Sequence, residues 1–325
     1  ALIRAGFEVR SSVPIHTEAE SSLNIRGLDA ARSTVLLLCL PREERDQSPG
    51  NWASVQTRVG RVARAAAERF QGQGLSGTDL YLASLGPALG EVGRNWPVTD
   101  FAGRPVDLVD ALEEAYKAVG QWRLEQIFTE LTASADLGEA AAGFSAQGVD
   151  RDTQTLWLWL DAFQGEIADS DDVRKLAKSL GVDPEDLKGM GLLTKNKDLF
   201  LLRPPRDVDH RALSRRLKGE PVARGRAARE ADAWEERVFP GFIGAAVWNA
   251  LSLLTTTDGI HGPEALRRWM ADSGYGAQRE FIGAYAVTLS LFERVFQRRR
   301  EGDAWDEAAR QARRGWDLVV STFRA

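Results

Sequence analysis

The most constraining stretch is Gly6 to Arg42, where a strand, a polar loop and a second strand stand ahead of a chain that otherwise reads as helices. Gly6 to Arg10 alternates apolar and polar residues, the period of a half-covered strand. Ser33 to Leu40, STVLLLCL, is instead a continuous β-branched and apolar run, the pattern of a strand buried on both faces. Two strands so unlike do not read as a free-standing hairpin. The loop between them, Pro14 to Arg32, exceeds an ordinary hairpin connection, and loops of that size in compact domains tend to be functional or disordered.

Downstream of Arg42 the charged segment Glu43 to Gly50 has nothing to bury and reads as a linker. Trp52, Val55, Val59, Val62, Ala66 and Phe70 then recur at helical steps, predicting a helix that closes near Gly72 and Gly74. Its arginines, Arg58, Arg61, Arg64 and Arg69, form an outward basic flank, read as a solvated face or as a surface for phosphates. A second helix begins near Thr78, with Leu82, Leu85, Leu89 and Val92 on one side. Pro87 is predicted to kink it, and Gly86 and Gly90 permit the close approach of another backbone or of a ligand. Asp107 caps a long helix to Leu131 whose buried side is Val109, Leu112, Tyr116, Val119, Ile127 and Phe128. Thr132 to Gly148 is rich in Ala and Gly and reads as a flexible excursion. Asp152 to Phe163 is apolar nearly all round, as a central core helix is.

From Ser170 the elements shorten. Ser170, Asp171 and Asp172 start a helix ending at Leu180-Gly181, and Asp183-Pro184-Glu185-Asp186 supplies the cap, first-turn proline and acidic first turn of another. Gly191 to Leu202 reads as a hairpin with Lys195, Asn196 and Lys197 at its turn. Two short helices and a basic-tipped hairpin outline a winged helix-turn-helix, an outline that serves equally as a structural insertion. The most basic part follows, with Arg203, Arg206, Arg211, Arg215, Arg216, Lys218, Arg224, Arg226 and Arg229. Phe239 to Leu254 and Phe281 to Phe296 are strongly apolar helices, and Asp303 to Phe323 is amphipathic. The predicted fold is mainly α, with two leading strands, a multi-helical region and a small β-hairpin. The expected divisions are 1–42, 50–165, 166–235 and 236–325.

No apolar run approaches the roughly 20 residues needed to cross a bilayer. The balance of 27% charged and 43% hydrophobic residues is that of a soluble globular protein. A lone cysteine, Cys39, in the apolar strand reads as a core thiol, builds no disulfide and fits a reducing cytoplasm. His16, His210 and His261 lie far apart with no ligand spacing, which argues against a metal site. The net charge of -5 argues against a chain that coats nucleic acid everywhere and leaves local basic patches open. Phosphate loops, Gly-x-Ser-x-Gly and paired His and Glu motifs do not occur.

Two blocks of residues resemble a known family. Ala1-Leu2, Ala5-Gly6-Phe7, Val9, Pro14, Thr17-Glu18 and Leu38-Cys39-Leu40-Pro41-Arg42 form the first block. Leu85-Gly86-Pro87-Ala88-Leu89, Gly103-Arg104-Pro105-Val106 and Ala111-Leu112 form the second. Both are similar to phrases of the large adenine-specific DNA methylases of bacteria and archaea, over roughly residues 1 to 205. The resemblance implies that the two strands are the last two of an α/β methyltransferase sheet with a reversed final strand. It also implies an upstream methyltransferase domain, S-adenosylmethionine as methyl donor in the parent enzyme, and DNA as a partner. The chain itself carries no Asp-Pro-Pro-Tyr motif and no Phe-x-Gly-x-Gly phrase, so it is expected to be the C-terminal segment of such an enzyme. No cofactor and no catalytic residue are expected within it. On that reading the loop residues His16, Thr17, Glu18 and Arg26 sit at the rim of the target base. DNA contacts centre on Lys195, Lys197, Arg203, Arg206, Arg211, Arg215 and Arg216. The other reading is a non-catalytic helical interaction or DNA-binding subunit of a phage-defence or restriction-modification assembly.

Overall fold

The first two strands pair with each other. In the computed structural model β1 (Phe7–His16) and β2 (Ser33–Pro41) are antiparallel, with Val9 opposite Cys39, Ser12 opposite Leu37 and Val13 opposite Leu36. Residues 2–16, 33–42, 49–132, 144, 148–164, 167–217, 242–254, 262–296 and 302–324 are described. β1 runs six residues beyond Arg10 and takes in the start of the polar stretch, while the register shifts between Val9 and Ser11. Arg42, just after β2, donates from its guanidinium to the carbonyls of Ile3 (2.8 Å) and Trp96 (3.2 Å), which ties the end of the strand to its surroundings.

Helices α1 (Trp52–Gly72) and α2 (Gly77–Arg94) follow, and α2 lies across β1. Glycine makes that contact close. A Cβ added at Gly90 would stand 2.7 Å from the carbonyl oxygen of Val9, and one at Gly86 would collide with the Ser12 side chain. The predicted close approach is therefore helix to strand. The expected facing of α2 holds only in part. Val92 is buried as expected, but Leu82, Leu85 and Leu89 are half-buried, and the buried residues include Leu80 and Tyr81 with the small Ala83, Ser84, Gly86, Ala88 and Gly90. α2 is a single helix through Pro87.

A short parallel pair, β3 (Gly50–Asn51) and β4 (Val98–Thr99), sets Asn51 opposite Thr99. Asn51 caps α1 by accepting from the Ser54 amide at 3.4 Å. Asp107 caps α3 (Leu108–Thr132), accepting from the Val109 amide at 3.2 Å, as predicted. The stripe that α3 buries is Ala111, Ala115, Val119 and Trp122, whereas Val109 is exposed and Leu112 and Tyr116 are half-buried.

Chain contacts divide the protein into two units, Ala1–Arg123 with Ala168–Gly181, and Leu124–Ile167 with Val182–Ala325. The first holds the elements above, up to Arg123 of α3, together with α5 (Ser170–Ser179), which follows β5 (Ile167–Asp169). Asp169 caps α5 by accepting from the Asp171 amide at 2.8 Å, one residue before the expected cap. Lys178 of α5 pairs with Glu113 of α3.

The second unit is built on α4 (Arg151–Phe163), in which Leu156 to Leu160 are all buried, as its pattern predicts. The remaining helices are α6 (Pro184–Gly189), α7 (His210–Leu217), α8 (Ile243–Leu254), α9 (Pro263–Ser273), α10 (Arg279–Phe296) and α11 (Ala304–Arg324). Asp183 caps α6 and Pro184 opens it, both as predicted. β6 (Leu193–Asn196) and β7 (Leu199–Leu202) form the antiparallel hairpin. Three buried aromatic polar groups find partners here, whereas Trp159 Nε1 is buried without one. Trp157 Nε1 donates to Thr288 Oγ1 (3.2 Å), Trp248 Nε1 to the Arg203 carbonyl (3.0 Å) and Tyr285 Oη to the Ala312 carbonyl (3.0 Å). Phe144, within the stretch expected to be an excursion, packs its ring 5.6 Å from that of Phe128. The rest of 133–147 lies outside the described residues. The fold is mainly helical, with sheets of no more than three strands among the described residues.

Candidate nucleic-acid interface

The β1–β2 ribbon has a covered face and an open one. Leu36, Leu38 and Leu40 of β2, at 55%, 59% and 46% exposure, alternate with half-buried Val35, Leu37 and Cys39. Val13, paired with Leu36, is exposed as well. Among the described residues β2 is thus not buried on both faces, since α2 lies against one side. Cys39 is half-buried, not a fully buried core thiol. Val13, Leu36 and Leu38 form an apolar patch on a ribbon of two strands. His16 closes β1 opposite Ser33; its side chain, and all of Thr17, Glu18 and Arg26, lie outside the described residues.

The basic segment of the second unit divides into paired and exposed groups. Lys195 Nζ is 3.7 Å from Glu185 Oε1 and lies over the Phe200 ring, 5.2 Å from its centroid. Glu185 also accepts from Lys188 at 2.8 Å. Burial pushes the Glu185 pKa up, but Lys188 and Lys195 outweigh it and hold the carboxyl below its ordinary value. Arg206 lies 3.7 Å from Asp207 and 3.2 Å from Glu307. Arg203 is half-buried and offers its carbonyl to Trp248. Lys197, in the left-handed region at φ 53°, turns the hairpin and is exposed, as are Arg211 and Arg215 on α7. The side chain of Arg216 and the whole of 218–241, with Lys218, Arg224, Arg226 and Arg229, lie outside the described residues.

The basic flank of α1 divides similarly. Arg58 does not simply face outward. Its Nε donates to Glu91 Oε1 at 2.6 Å and its Nη2 to Asn95 Oδ1 at 3.0 Å. Arg94 bridges Glu91 (3.1 Å) and Glu8 (3.8 Å), so a chain of charges joins α1, α2 and β1. The Arg69 guanidinium lies 4.6 Å from the Phe70 ring centroid, while Arg61 and Arg64 are exposed.

Two further features have no periodic sequence signature. Asp150 caps α4, accepting from the Thr153 amide (2.8 Å), the Thr153 hydroxyl (2.7 Å) and the Ile243 amide (3.0 Å), so the starts of α4 and α8 share one carboxylate. Burial raises its pKa. Burial also pushes Asp152 up to about 6, helped by the Asp150 and Asp186 carboxylates. Among the described residues no group of three or more His, Cys, Asp or Glu side chains is placed to hold a metal. The second feature is the turn Asp100–Pro105. Asp100 Oδ1 accepts from the amides of Ala102 (2.8 Å) and Arg104 (2.9 Å), Asp100 Oδ2 accepts from Arg104 Nε (2.8 Å), and Thr99 bridges Pro105. The Arg104 amide, with its guanidinium, holds the Asp100 carboxyl below its ordinary pKa. At the tip stands Phe101, 95% exposed.

No family model, curated protein or solved structure matches this chain. No described helix is long and apolar enough to cross a membrane.

Proposed function

We propose that this chain is the C-terminal segment of a cytoplasmic, S-adenosylmethionine-dependent, adenine-specific DNA methyltransferase, in which it contributes DNA binding and part of the rim around the target base. The observation that carries the reading is the open face of the β1–β2 ribbon. The sequence of β2 is written for burial on both faces, yet α2 covers one. Fully burying a Leu or Val contributes about 1.5–3 kcal/mol, so half-exposed Val13, Leu36 and Leu38 leave roughly 1 kcal/mol each to be gained under a cover. The resemblance makes these the last two strands of a larger, mostly parallel sheet, and the rest of that fold would supply the cover.

On this reading the donor site belongs to the upstream methyltransferase portion. β2 is followed by Arg42 and a charged segment, and β1 by a loop whose one glycine is Gly27, so neither strand of the ribbon leads into a glycine-rich sequence. What the chain offers is positive charge at Lys197, Arg211 and Arg215 and an apolar seat for the catalytic fold. A second reading, a non-catalytic helical subunit of a phage-defence or restriction-modification assembly, is favoured by the internal pairing of Lys195 and Arg206.

Hydrogen exchange of the chain, alone and mixed with the methyltransferase portion of its parent, separates these readings. Slower exchange across β2, abolished by Leu36→Ser with Leu38→Ser, supports the methyltransferase. Unchanged exchange on mixing removes the ribbon as the joint and with it this reading. Calorimetric titration of the chain with S-adenosylmethionine should show no micromolar binding.

A further inference from the structure

Phe101 has the highest exposure among the exposed large apolar side chains of the described residues, and its turn is held by five side-chain and backbone hydrogen bonds centred on Asp100. An exposed aromatic ring on a fixed turn loses little conformational freedom when it meets a partner. Its chemistry selects among partners. Anchors of protein interfaces act inside a desolvated patch with an apolar surround, but the neighbours here are Asp100, Ala102, Gly103, Arg104 and Pro105, all small or polar save the proline. A nucleobase asks for less, because one flat ring and a nearby cation suffice to stack it. Arg104, whose side chain is 75% exposed, lies three residues on, its guanidinium held 2.8 Å from Asp100 and its outer face open to solvent. The parallel pairing of Asn51 with Thr99 sets this turn at the same end of the β3–β4 sheet as the first turn of α1, which carries no acidic side chain.

We propose that Phe101 is a base-stacking residue that inserts into duplex DNA and fills the gap left when a base leaves the helix, with Arg104 directed to the adjoining phosphate. The inference rests on the DNA methyltransferase reading, since chemistry on a base requires that base to be taken out of the stack. Apolar wedges inserted between base steps offset the lost stacking.

The test uses the chain as it stands and two duplexes of one sequence, one fully paired and one with a central abasic site, over a range of salt. Wild type should prefer the abasic duplex. Phe101→Ala should lose that preference and bind the abasic duplex about tenfold or more weakly, the scale of one stacked base. Phe101→Trp should restore both. Stacking releases no counterions, so Phe101→Ala should leave the slope of log affinity against log salt unchanged, whereas Arg104→Ala should flatten it. Exposure at this level predicts equal melting temperatures for wild type and Phe101→Ala. If wild type binds DNA and Phe101→Ala binds both duplexes equally well, the inference is overturned and the methyltransferase reading stands. Loss of association with the methyltransferase portion in place of DNA binding overturns it too, in favour of a protein anchor. Failure of wild type to bind either duplex at low salt overturns both.

Discussion

Replacing Gly90 by Ala isolates the contact on which the ribbon depends. In a helix interior Ala is favoured over Gly by about 1 kcal/mol, so the substitution stabilises wherever space allows. Gly60 in α1 is such a place, because its added Cβ would lie 3.5 Å from Glu114 Oε1 and 3.6 Å from the Ala118 Cβ, ordinary contact distances. Gly90 is not. Its Cβ would stand 2.7 Å from the Val9 carbonyl oxygen, which belongs to a strand backbone and has no rotamer by which to withdraw. Forcing the pair apart costs about 1–3 kcal/mol as overpacking does, which outweighs the propensity gain by up to roughly 2 kcal/mol. Gly60→Ala should therefore melt higher than wild type and Gly90→Ala lower, by about 2–4 °C per kcal/mol. Thermal unfolding followed by circular dichroism gives the order, and hydrogen exchange at β1 should show faster opening in Gly90→Ala alone. If Gly90→Ala proves as stable as Gly60→Ala, the close packing of α2 on β1 is wrong.

Asp152→Asn should stabilise the protein at pH 7.5 and not at pH 4. The raised pKa means that the contribution of Asp152 is fully present below the ordinary carboxyl range, where the group is neutral, and is lost as pH rises through about 6. Melting temperatures of the two proteins should diverge across that interval, and parallel curves would contradict the burial of this carboxyl. Replacing Arg215 and Arg216 together by Ala should weaken duplex binding and flatten the salt slope by roughly 0.9 for each phosphate no longer neutralised. A salt-titrated mobility shift with no difference would assign the segment to pairing within the protein.

Elements set by one residue's neighbours along the chain were legible in the sequence. Asp183 and Pro184 announce the start of α6, and the unbroken apolar run of α4 announces a buried helix. Facing was less legible wherever small residues decide it. Hydrophobicity points to Leu82, Leu85 and Leu89 in α2, but a strand at backbone distance selects Gly86 and Gly90, and in α3 Ala111 and Ala115 are buried while Val109 is exposed. In β2 the run of leucines encodes burial that the residues of this chain do not complete. α9 was missed although Pro263 opens it, Leu266, Trp269 and Met270 are buried along it, and Gly274 closes it at φ 75°. Phe101 carries no periodicity at all, so a pattern reading passes over it. Its only sequence signal is a lone aromatic among turn-forming residues. Of the candidate site, Lys197, Arg211 and Arg215 are exposed, Lys195 and Arg206 are paired, and Thr17, Glu18 and Arg26 of the proposed rim lie beyond the described residues.

Methyl transfer from labelled S-adenosylmethionine to duplex DNA, with the modified nucleoside identified by mass spectrometry, tests the proposed function most directly. The methyltransferase portion joined to this chain should form N6-methyladenine. Neither part alone should, and Leu36→Ser with Leu38→Ser in the joined protein should abolish transfer by unseating the ribbon. Equal transfer by the methyltransferase portion without this chain would contradict the account, as would a joined protein that modifies no adenine.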